Sequence, residues 1–218
     1  MPKYIINKAD QAVPLSGDVA GSAWARANVL QIEDYPWPQG NPPRPTQVRA
    51  LWDDQNLYIQ FLCEDKHISA VETRLNGNVY LDSCVEFFGM IDPATSNDYF
   101  NLEINCCGMM HLGYGPGRHG RRLSTPGIAQ QMKIVTSVKG PTKQESPADD
   151  GWWVAAALPW EAISQLAGKK VSPRSGLAWR GNFYRCGGRE VEYGVWSHID
   201  NPIPDYHRPE FFGDIEFA

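Results

Sequence analysis

Apolar and polar residues alternate with a period of two in several separate stretches of the chain. The alternation is cleanest in residues 98–107, where Phe100, Leu102, Ile104 and Cys106 fall on one side of an extended strand and the residues between them on the other. This period is typical of a β-strand with one face in a hydrophobic core. The stretch therefore predicts a strand in a sheet that is covered on at least one side.

Other stretches have strand character and are separated by residues that favour turns. Residues 47–64 read as strand, turn and strand, because the turn formers 53–56 separate two apolar runs, which predicts a hairpin. One helix is predicted at 159–167, with Pro159 near its start and Gly168 just past its end. Further strands are predicted at 83–91, 109–114, 130–138, 151–158, 177–186, 192–199 and 211–217.

About ten short strands with one short helix predict an all-β fold, an antiparallel β-sandwich of two packed sheets. Helices do not alternate with the strands, which argues against a parallel α/β sheet. The chain has 218 residues, and because β-sandwiches often exceed the average domain length, one domain over residues 1–218 is expected. The 8 Trp, 9 Tyr, 20 Gly and 17 Pro suit a strand-rich protein with long loops.

Charge and hydropathy argue against two classes of partner. The net charge of −5 argues against nucleic acid, whose binders carry a basic face. No apolar run reaches the ~20 residues that a transmembrane helix needs, so no membrane partner is expected. The first ten residues resemble no signal peptide, so the chain is expected to be cytoplasmic, or extracytoplasmic with its signal removed. Nothing in the sequence indicates the oligomeric state.

Metal and catalytic motifs are scarce. The 5 cysteines are odd in number and form no C-x-x-C pair, so neither a zinc site nor a disulfide framework is predicted. The signatures of serine hydrolases, zinc proteases, P-loop proteins and EF-hands are absent. Several aspartates lie in expected turns, where their oxygens suit calcium, although aspartate is also a common turn former. These residues are Asp53, Asp54, Asp65, Asp82 and Asp92.

The polar side of the strand at 98–107 is the most informative candidate site. It places Asn101, Glu103 and Asn105 in a row at intervals of ~7 Å, and Glu86 on the preceding strand can join them if the two strands form a hairpin. Amide and carboxyl groups fixed on a sheet suit sugar hydroxyls, which both donate and accept hydrogen bonds. A solvated strand face has the same pattern, so the pattern alone leaves both interpretations open.

Aromatic side chains near these strands offer a surface for the apolar face of a sugar. Tyr and Trp suit this task because they are large, rigid and amphipathic. The candidates are Tyr80, Trp179 and Trp196.

The chain resembles the carbohydrate-binding module family 9-like domains over nearly its whole length. The matching segments occur in the expected order, and the family fold implied by the resemblance is an immunoglobulin-like β-sandwich. The segments are LSGDVAGSAWARA (15–27), ALWDDQNLYIQFLCED (50–65), YLDSCVEFF (80–88), DYFNLEINCCG (98–108), GWWVAAALPW (151–160), GLAWRGNFYRC (176–186), YGVWSHI (193–199) and HRPEFFGDIEF (207–217).

The resemblance also implies a site. In sugar-binding members, two aromatic side chains clamp a terminal sugar, and carboxylate, amide and arginine groups contact its hydroxyls. Tyr80 stands where these members carry a tryptophan, and Trp196 in VWS resembles the second clamp residue. Structural calcium is common in the family and is a possible cofactor here. The polar ligand-binding residues implied by the match are Glu86, Asn101, Glu103, Asn105 and Arg185.

These features predict non-catalytic binding of a poly- or oligosaccharide, including its chain ends. Three alternatives stay open. A glycoside-processing enzyme could use Glu86 and Glu103, since carboxylates on adjacent strands can lie at the ~5–9 Å of glycosidase pairs. A sandwich that has lost its sugar site could serve structure or protein interaction. A haem-binding sandwich would have to use ligands from residues 109–111, MMH.

Overall fold

The structure is a computed structural model that describes residues 1–189 and 192–218. Within these residues it has thirteen strands and two short α-helices. No described helix has the length and apolar character needed to cross a lipid bilayer. The elements are β1 (Lys3–Lys8), β2 (Val29–Ile32), β3 (Thr46–Trp52), β4 (Asn56–Cys63), β5 (Cys84–Met90), β6 (Tyr99–Asn105), β7 (Met110–Gly115), β8 (Arg122–Leu123), α1 (Pro126–Ala129), β9 (Lys133–Thr136), β10 (Trp152–Pro159), α2 (Trp160–Ala167), β11 (Leu177–Cys186), β12 (Gly194–Val195) and β13 (Gly213–Phe217).

The strands form one curled sheet that folds over on itself. Their order is β8-β7-β6-β5-β11-β13-β1-β3-β4-β10-β9, with β2 beside β3 and β12 beside β11. β1 pairs in parallel with β13 on one side and with β3 on the other, so it joins the two halves. All other strand pairs among the described residues are antiparallel. The prediction of an all-β sandwich is confirmed.

The main hydrophobic core lies between the two halves of the sheet. Phe183 of β11 stacks on Phe87 of β5 at 4.4 Å between ring centroids and meets Phe61 of β4, from the opposite half, at 6.2 Å. Trp179 is 1% exposed and packs edge-on against Phe217. Each aromatic ring of this kind buries about 150–250 Å² and contributes strongly to the stability of the core.

The other face of β5, β6 and β11, here called the outer face, is also buried. Side chains alternate along a strand, so Glu86 and Phe88 of β5 point away from the core that holds Phe87. Phe88 and Tyr99 stack there at 5.7 Å between centroids and contact a second apolar cluster. That cluster includes residues 206 and 212 from the chain between β12 and β13. The polar groups on this face are therefore largely buried.

The structure corrects several element bounds. The strand predicted at 130–138 is shorter, because helix α1, capped by the Thr125 side chain, and the turn after it occupy the preceding residues. Of the strand predicted at 192–199, only β12 forms. β1 and β2 were not predicted. β1 joins the two halves through pairing with strands far away in the chain, and a short local pattern carries little information about such pairing.

Candidate functional site

A cavity of about 320 Å³ lies on the outer face of β5, β6 and β7. Its volume is at the lower end of the range of about 300–1,000 Å³ typical of small-ligand sites. Polar and aromatic groups from eight separate parts of the chain meet in it. The lining residues are Asn78, Tyr80, Glu86, Asn101, Glu103, His111, Arg118, Arg121, Cys186, Tyr193, Pro204, Asp205, Tyr206 and His207.

Strand register builds the floor of the cavity. Glu86 of β5 lies directly opposite Glu103 of β6, and Glu103 lies directly opposite His111 of β7. Neighbouring strands are about 4.8 Å apart, so the three side chains form a row across the sheet. Asn101 lies two residues from Glu103 and therefore on the same face. The sheet backbone thus fixes four polar side chains side by side.

The two carboxyl groups of this floor are buried, since Glu86 is 3% exposed and Glu103 is 7% exposed. The Cys186 thiol donates to Glu86 Oε1 at 3.0 Å, and Asn101 Nδ2 donates to Glu103 Oε1 at 2.7 Å. Burial raises the pKa of both carboxyl groups, and the nearby Cys186 and Glu103 raise the pKa of Glu86 further. The floor is therefore a largely buried hydrogen-bonding surface, unlike a solvated strand face.

Replacing Glu86 with Gln is expected to stabilise the protein at pH 8 and to leave its stability unchanged at pH 4. A carboxyl whose folded-state pKa is raised keeps its proton while the unfolded chain loses it, so its contribution to stability falls as pH rises above the unfolded pKa. Urea unfolding of both proteins at pH 4, 6 and 8 measures the difference. Glu64→Gln, at an exposed position, is the control. An equal effect of Glu86→Gln at all three pH values would contradict the prediction.

Two arginines from the loop after β7 face this floor. Arg118 Nη2 pairs with Asp205 Oδ1 at 2.6 Å. Arg121 lies over the Tyr99 ring, 4.8 Å from its centroid. The absence of a side chain at Gly113 makes room for this arrangement, because a Cβ there would lie 3.2 Å from Arg121 Cδ. The loop therefore brings two cations to the edge of the carboxyl row, the pair of neighbouring carboxyl groups of Glu86 and Glu103.

Two tyrosines supply aromatic rings. Tyr80 lies in a 3-10 helix, Val79–Leu81, and is 49% exposed. Gly187 allows the chain after β11 to pass close to it, because a Cβ there would lie 2.6 Å from the Tyr80 carbonyl oxygen. Tyr193 is half-buried and contacts Trp37 edge-on at 6.3 Å between centroids. Tyr193 was not predicted from the sequence. It lies in the segment YGVWSHI, in which the larger Trp196 was expected to be the second clamp residue.

The structure brings four of the predicted site residues together in the cavity, namely Tyr80, Glu86, Asn101 and Glu103. Asn105, on the same face of β6, lies outside the cavity. Its side chain donates to the Asp82 carboxylate at 2.8 Å and accepts from the Met109 backbone N–H at 2.9 Å. Its observed contacts are therefore those of a residue that holds the turn after β6.

Arg185 and Trp196 also lie outside the cavity. Arg185 points away from the outer face, because its neighbours on β11 point into that face, and it pairs with Asp65. Trp196 packs edge-on against Tyr4 and Phe183 at 6.3 and 6.0 Å between centroids. The alternation of side chains along β11 could have indicated from the sequence that Arg185 points away from the outer face. Trp179, a further aromatic candidate, lies in the main core.

Possible metal ligands in the described residues form one compact group, the Cys84 and Cys186 thiols with the Glu86 carboxylate, whose ligand atoms lie within 4.8 Å of one another. Thiolates prefer a soft cation such as zinc to calcium. The five turn aspartates form no such group. Asp53 accepts from two turn N–H groups, and Asp82 accepts from the N–H groups of 71 and 72. These aspartates do not fit a shared calcium site, and calcium binding elsewhere stays a prediction.

Comparison with known proteins agrees with this architecture. A candidate carbohydrate-binding protein from Bacteroides uniformis ATCC 8492 superimposes with a TM-score of 0.87 at 23% identity, over 99% of each chain. A carbohydrate-binding module of family 9 from Caldicellulosiruptor kristjanssonii was solved with glucose and with cellotriose. Both structures superimpose with a TM-score of 0.67 at 15% identity, over 100% and 99% of this chain and 96% and 93% of theirs.

The sequence itself carries the family signal. No curated protein matches the chain. The family described as "Carbohydrate-binding family 9" matches residues 20–217, which is most of the 218 residues and agrees with the resemblance seen in the sequence. The chain belongs to carbohydrate-binding family 9.

Proposed function

We propose that the chain binds carbohydrate in the outer-face cavity and catalyses no reaction of its own. The observation that carries this proposal is the combination of a buried row of hydrogen-bonding groups with two tyrosine rings in one cavity. Sugar hydroxyls need donors and acceptors, whereas the C–H faces of the ring need an apolar surface. Tyr80 and Tyr193 supply the apolar surface. Glu86, Asn101 and Glu103 supply the hydrogen-bond donors and acceptors.

The ligand class follows from the relatives and from the size of the cavity. The Caldicellulosiruptor kristjanssonii module was solved with glucose and with cellotriose, which supports a gluco-oligosaccharide as the first ligand to test. A cavity of about 320 Å³ suits a short segment or a chain end better than the middle of a long polymer. Because the contact area is small, we expect weak affinity, on the order of 10 μM to 1 mM.

A glycosidase is the second candidate, because Glu86 and Glu103 lie on adjacent strands in one cavity. A retaining or inverting glycosidase needs carboxyl groups that flank the scissile bond, one of them ionised. Here both groups lie on one floor, and burial raises the pKa of both, which disfavours the ionised form that one member of such a pair must take. The arrangement therefore supports binding better than hydrolysis.

Isothermal titration calorimetry with glucose and cellotriose tests the proposal. We expect saturable binding that Tyr80→Ala weakens about tenfold, which corresponds to about 1.4 kcal/mol for the lost ring contact. Tyr80→Phe keeps the ring and is the matched control, so its affinity should stay near that of the wild type. Calorimetry is preferred to tryptophan fluorescence because the described lining of the cavity contains no tryptophan.

Two results would contradict the proposal. If the folded protein binds neither neutral nor charged sugars, the cavity is no sugar site, and a protein-interaction role gains support. If incubation with cellotriose or a chromogenic glycoside releases product, and Glu86→Gln abolishes the release, the chain is an enzyme.

A further inference from the structure

Arg121 has an unusual environment for a cation. Its Nε, Nη1 and Nη2 atoms are all shielded from solvent and have no hydrogen-bond partner among the described residues. Arg118, from the same loop, is paired with Asp205 at 2.6 Å. Arg121 packs on Tyr99, with its guanidinium carbon 4.8 Å from the ring centroid. Glu103 attracts the guanidinium at a distance, but no carboxylate of the described residues forms an ion pair with it.

This arrangement costs stability. A guanidinium has five N–H donors, and burial of a charge without hydrogen bonds is strongly unfavourable. The pKa of Arg121 is lowered by that burial. Asn101 Oδ1, next to Glu103 on the floor, is also buried without a donor. A cavity that keeps an unpaired cation and an unpaired acceptor is built for a ligand that supplies the missing partners.

The neighbouring titratable groups do not neutralise Arg121 fully. Burial lowers the pKa of His207 to about 3, so this side chain is neutral at pH 7. Burial raises the pKa of Glu86 and of Glu103, which increases the fraction of each that carries a proton. Asp205 is already engaged by the other arginine of the loop.

We propose that the sugar bound in this cavity is anionic, and that Arg121 binds its charged group, a carboxylate or a sulfate ester. This inference rests on the proposed function and names the class of ligand. The planar guanidinium fork matches a carboxylate or sulfate in a bidentate hydrogen-bonded pair, which a neutral hydroxyl cannot form. The ring of the sugar keeps the tyrosine and floor contacts already described.

The loop allows the guanidinium to reach the ligand. Its nitrogens are shielded in this structure, so binding needs a small shift of residues 116–121. A Cβ added at Gly117 or Gly120 in this loop would meet no atom within 4 Å, and Gly120 has a φ of +72°. The Arg118–Asp205 pair is half-exposed on the arginine side, and it can separate at little cost because exposed ion pairs contribute about 0–1 kcal/mol.

Calorimetry at pH 7 and low salt with five probes tests the inference. The probes are D-glucuronate, its neutral methyl ester, glucose, glucose 6-sulfate and acetate. We expect glucuronate to bind at least about tenfold more tightly than its ester and than glucose, as for one charge-assisted bidentate pair. Tighter binding of glucose 6-sulfate than of glucuronate would also support the inference and would identify the sulfate as the anionic group.

Variants assign the preference to one residue. Arg121→Gln should remove the difference between glucuronate and its ester, and Arg121→Lys, which keeps the charge but not the fork, should reduce it. Arg174→Gln changes the net charge equally at an exposed position and should keep the preference. Thermal unfolding checks that each variant is folded.

The outcomes separate this inference from the proposed function. Equal affinity for glucuronate, its ester and glucose overturns the inference and leaves the proposed function standing. Acetate binding as tightly as glucuronate shows a simple anion site and overturns the inference. A preference that persists in folded Arg121→Gln also overturns it. A folded protein that binds none of the four sugars overturns both.

Discussion

Tyr193→Ala is expected to weaken sugar binding about 30-fold while the protein stays folded. Truncation of an aromatic side chain at the centre of a small binding site typically costs about 2 kcal/mol or more, which corresponds to that factor. Tyr193 lines the cavity, and edge contacts with Trp37 and Tyr206 at 6.3 and 6.2 Å between centroids hold its ring in place. A ring that is already ordered loses little entropy when a sugar packs on it.

Trp196→Ala is the informative comparison, because the sequence suggested Trp196 as the second clamp residue. Its ring packs against Tyr4 and Phe183, and a Cβ at Gly213 would lie 2.6 Å from its ring atoms. We therefore expect Trp196→Ala to destabilise the fold by about 2 kcal/mol or more and to leave the affinity of the folded fraction within about threefold of the wild type.

Calorimetry at a temperature where each variant is fully folded, combined with urea unfolding, separates the two effects. Tyr193→Phe keeps the ring and is the conservative control. Normal affinity in Tyr193→Ala together with lost affinity in folded Trp196→Ala would restore Trp196 as the clamp residue and would reject the assignment of Tyr193.

Asp65→Asn is expected to destabilise the protein by about 3–5 kcal/mol, because it leaves the charge of buried Arg185 without a counterion. Asp65 accepts a hydrogen bond from Arg185 and another from Trp152 Nε1 at 2.9 Å. Arg185 also donates to the carbonyl oxygens of residues 84 and 186, at 3.1 and 2.6 Å. The two side chains are each 6% exposed, so water cannot replace the lost carboxylate.

The matched control is Asp54→Asn. The Lys8–Asp54 pair is also in direct contact, at 2.7 Å, but its aspartate is 80% exposed, and such pairs contribute about 0–1 kcal/mol. The midpoints and slopes of urea unfolding give the loss in the free energy of unfolding for each variant. A loss below about 1 kcal/mol in Asp65→Asn would show that Arg185 does not depend on this pair, and would reopen the prediction that Arg185 contacts the ligand.

The carboxyl row shows how much of the site a local sequence pattern can predict. The alternation in β6 placed Asn101 and Glu103 on one face, and the guess that β5 and β6 form a hairpin placed Glu86 beside them. Both inferences depend only on the two-residue period of a strand and on a short connection. The same period left the burial of that face undecided, because the covering residues 193–212 are distant in sequence.

Arg121 and Tyr193 show where local pattern fails. The segment 113–127 reads as a glycine- and arginine-rich loop, and nothing in it specifies that one arginine lies on the Tyr99 ring while another pairs with Asp205. Tyr193 and Trp196 both lie in one short segment. The larger ring of Trp196 favoured it as the clamp residue, although it packs into the core. In both cases the decisive contacts join residues many positions apart.

The sequence by itself determined that the chain is an all-β sandwich of carbohydrate-binding family 9, and it identified Tyr80, Glu86, Asn101 and Glu103 as site candidates. Strand periodicity and ordered family segments carry that information locally. The tertiary structure decided the rest. It paired β1 with both halves of the sheet, turned Arg185 towards Asp65 and gathered Tyr193 and Arg121 around the carboxyl row. Contacts across the sheet and between loops set these positions, and only the direction of Arg185 is also encoded locally, in the alternation of side chains along β11.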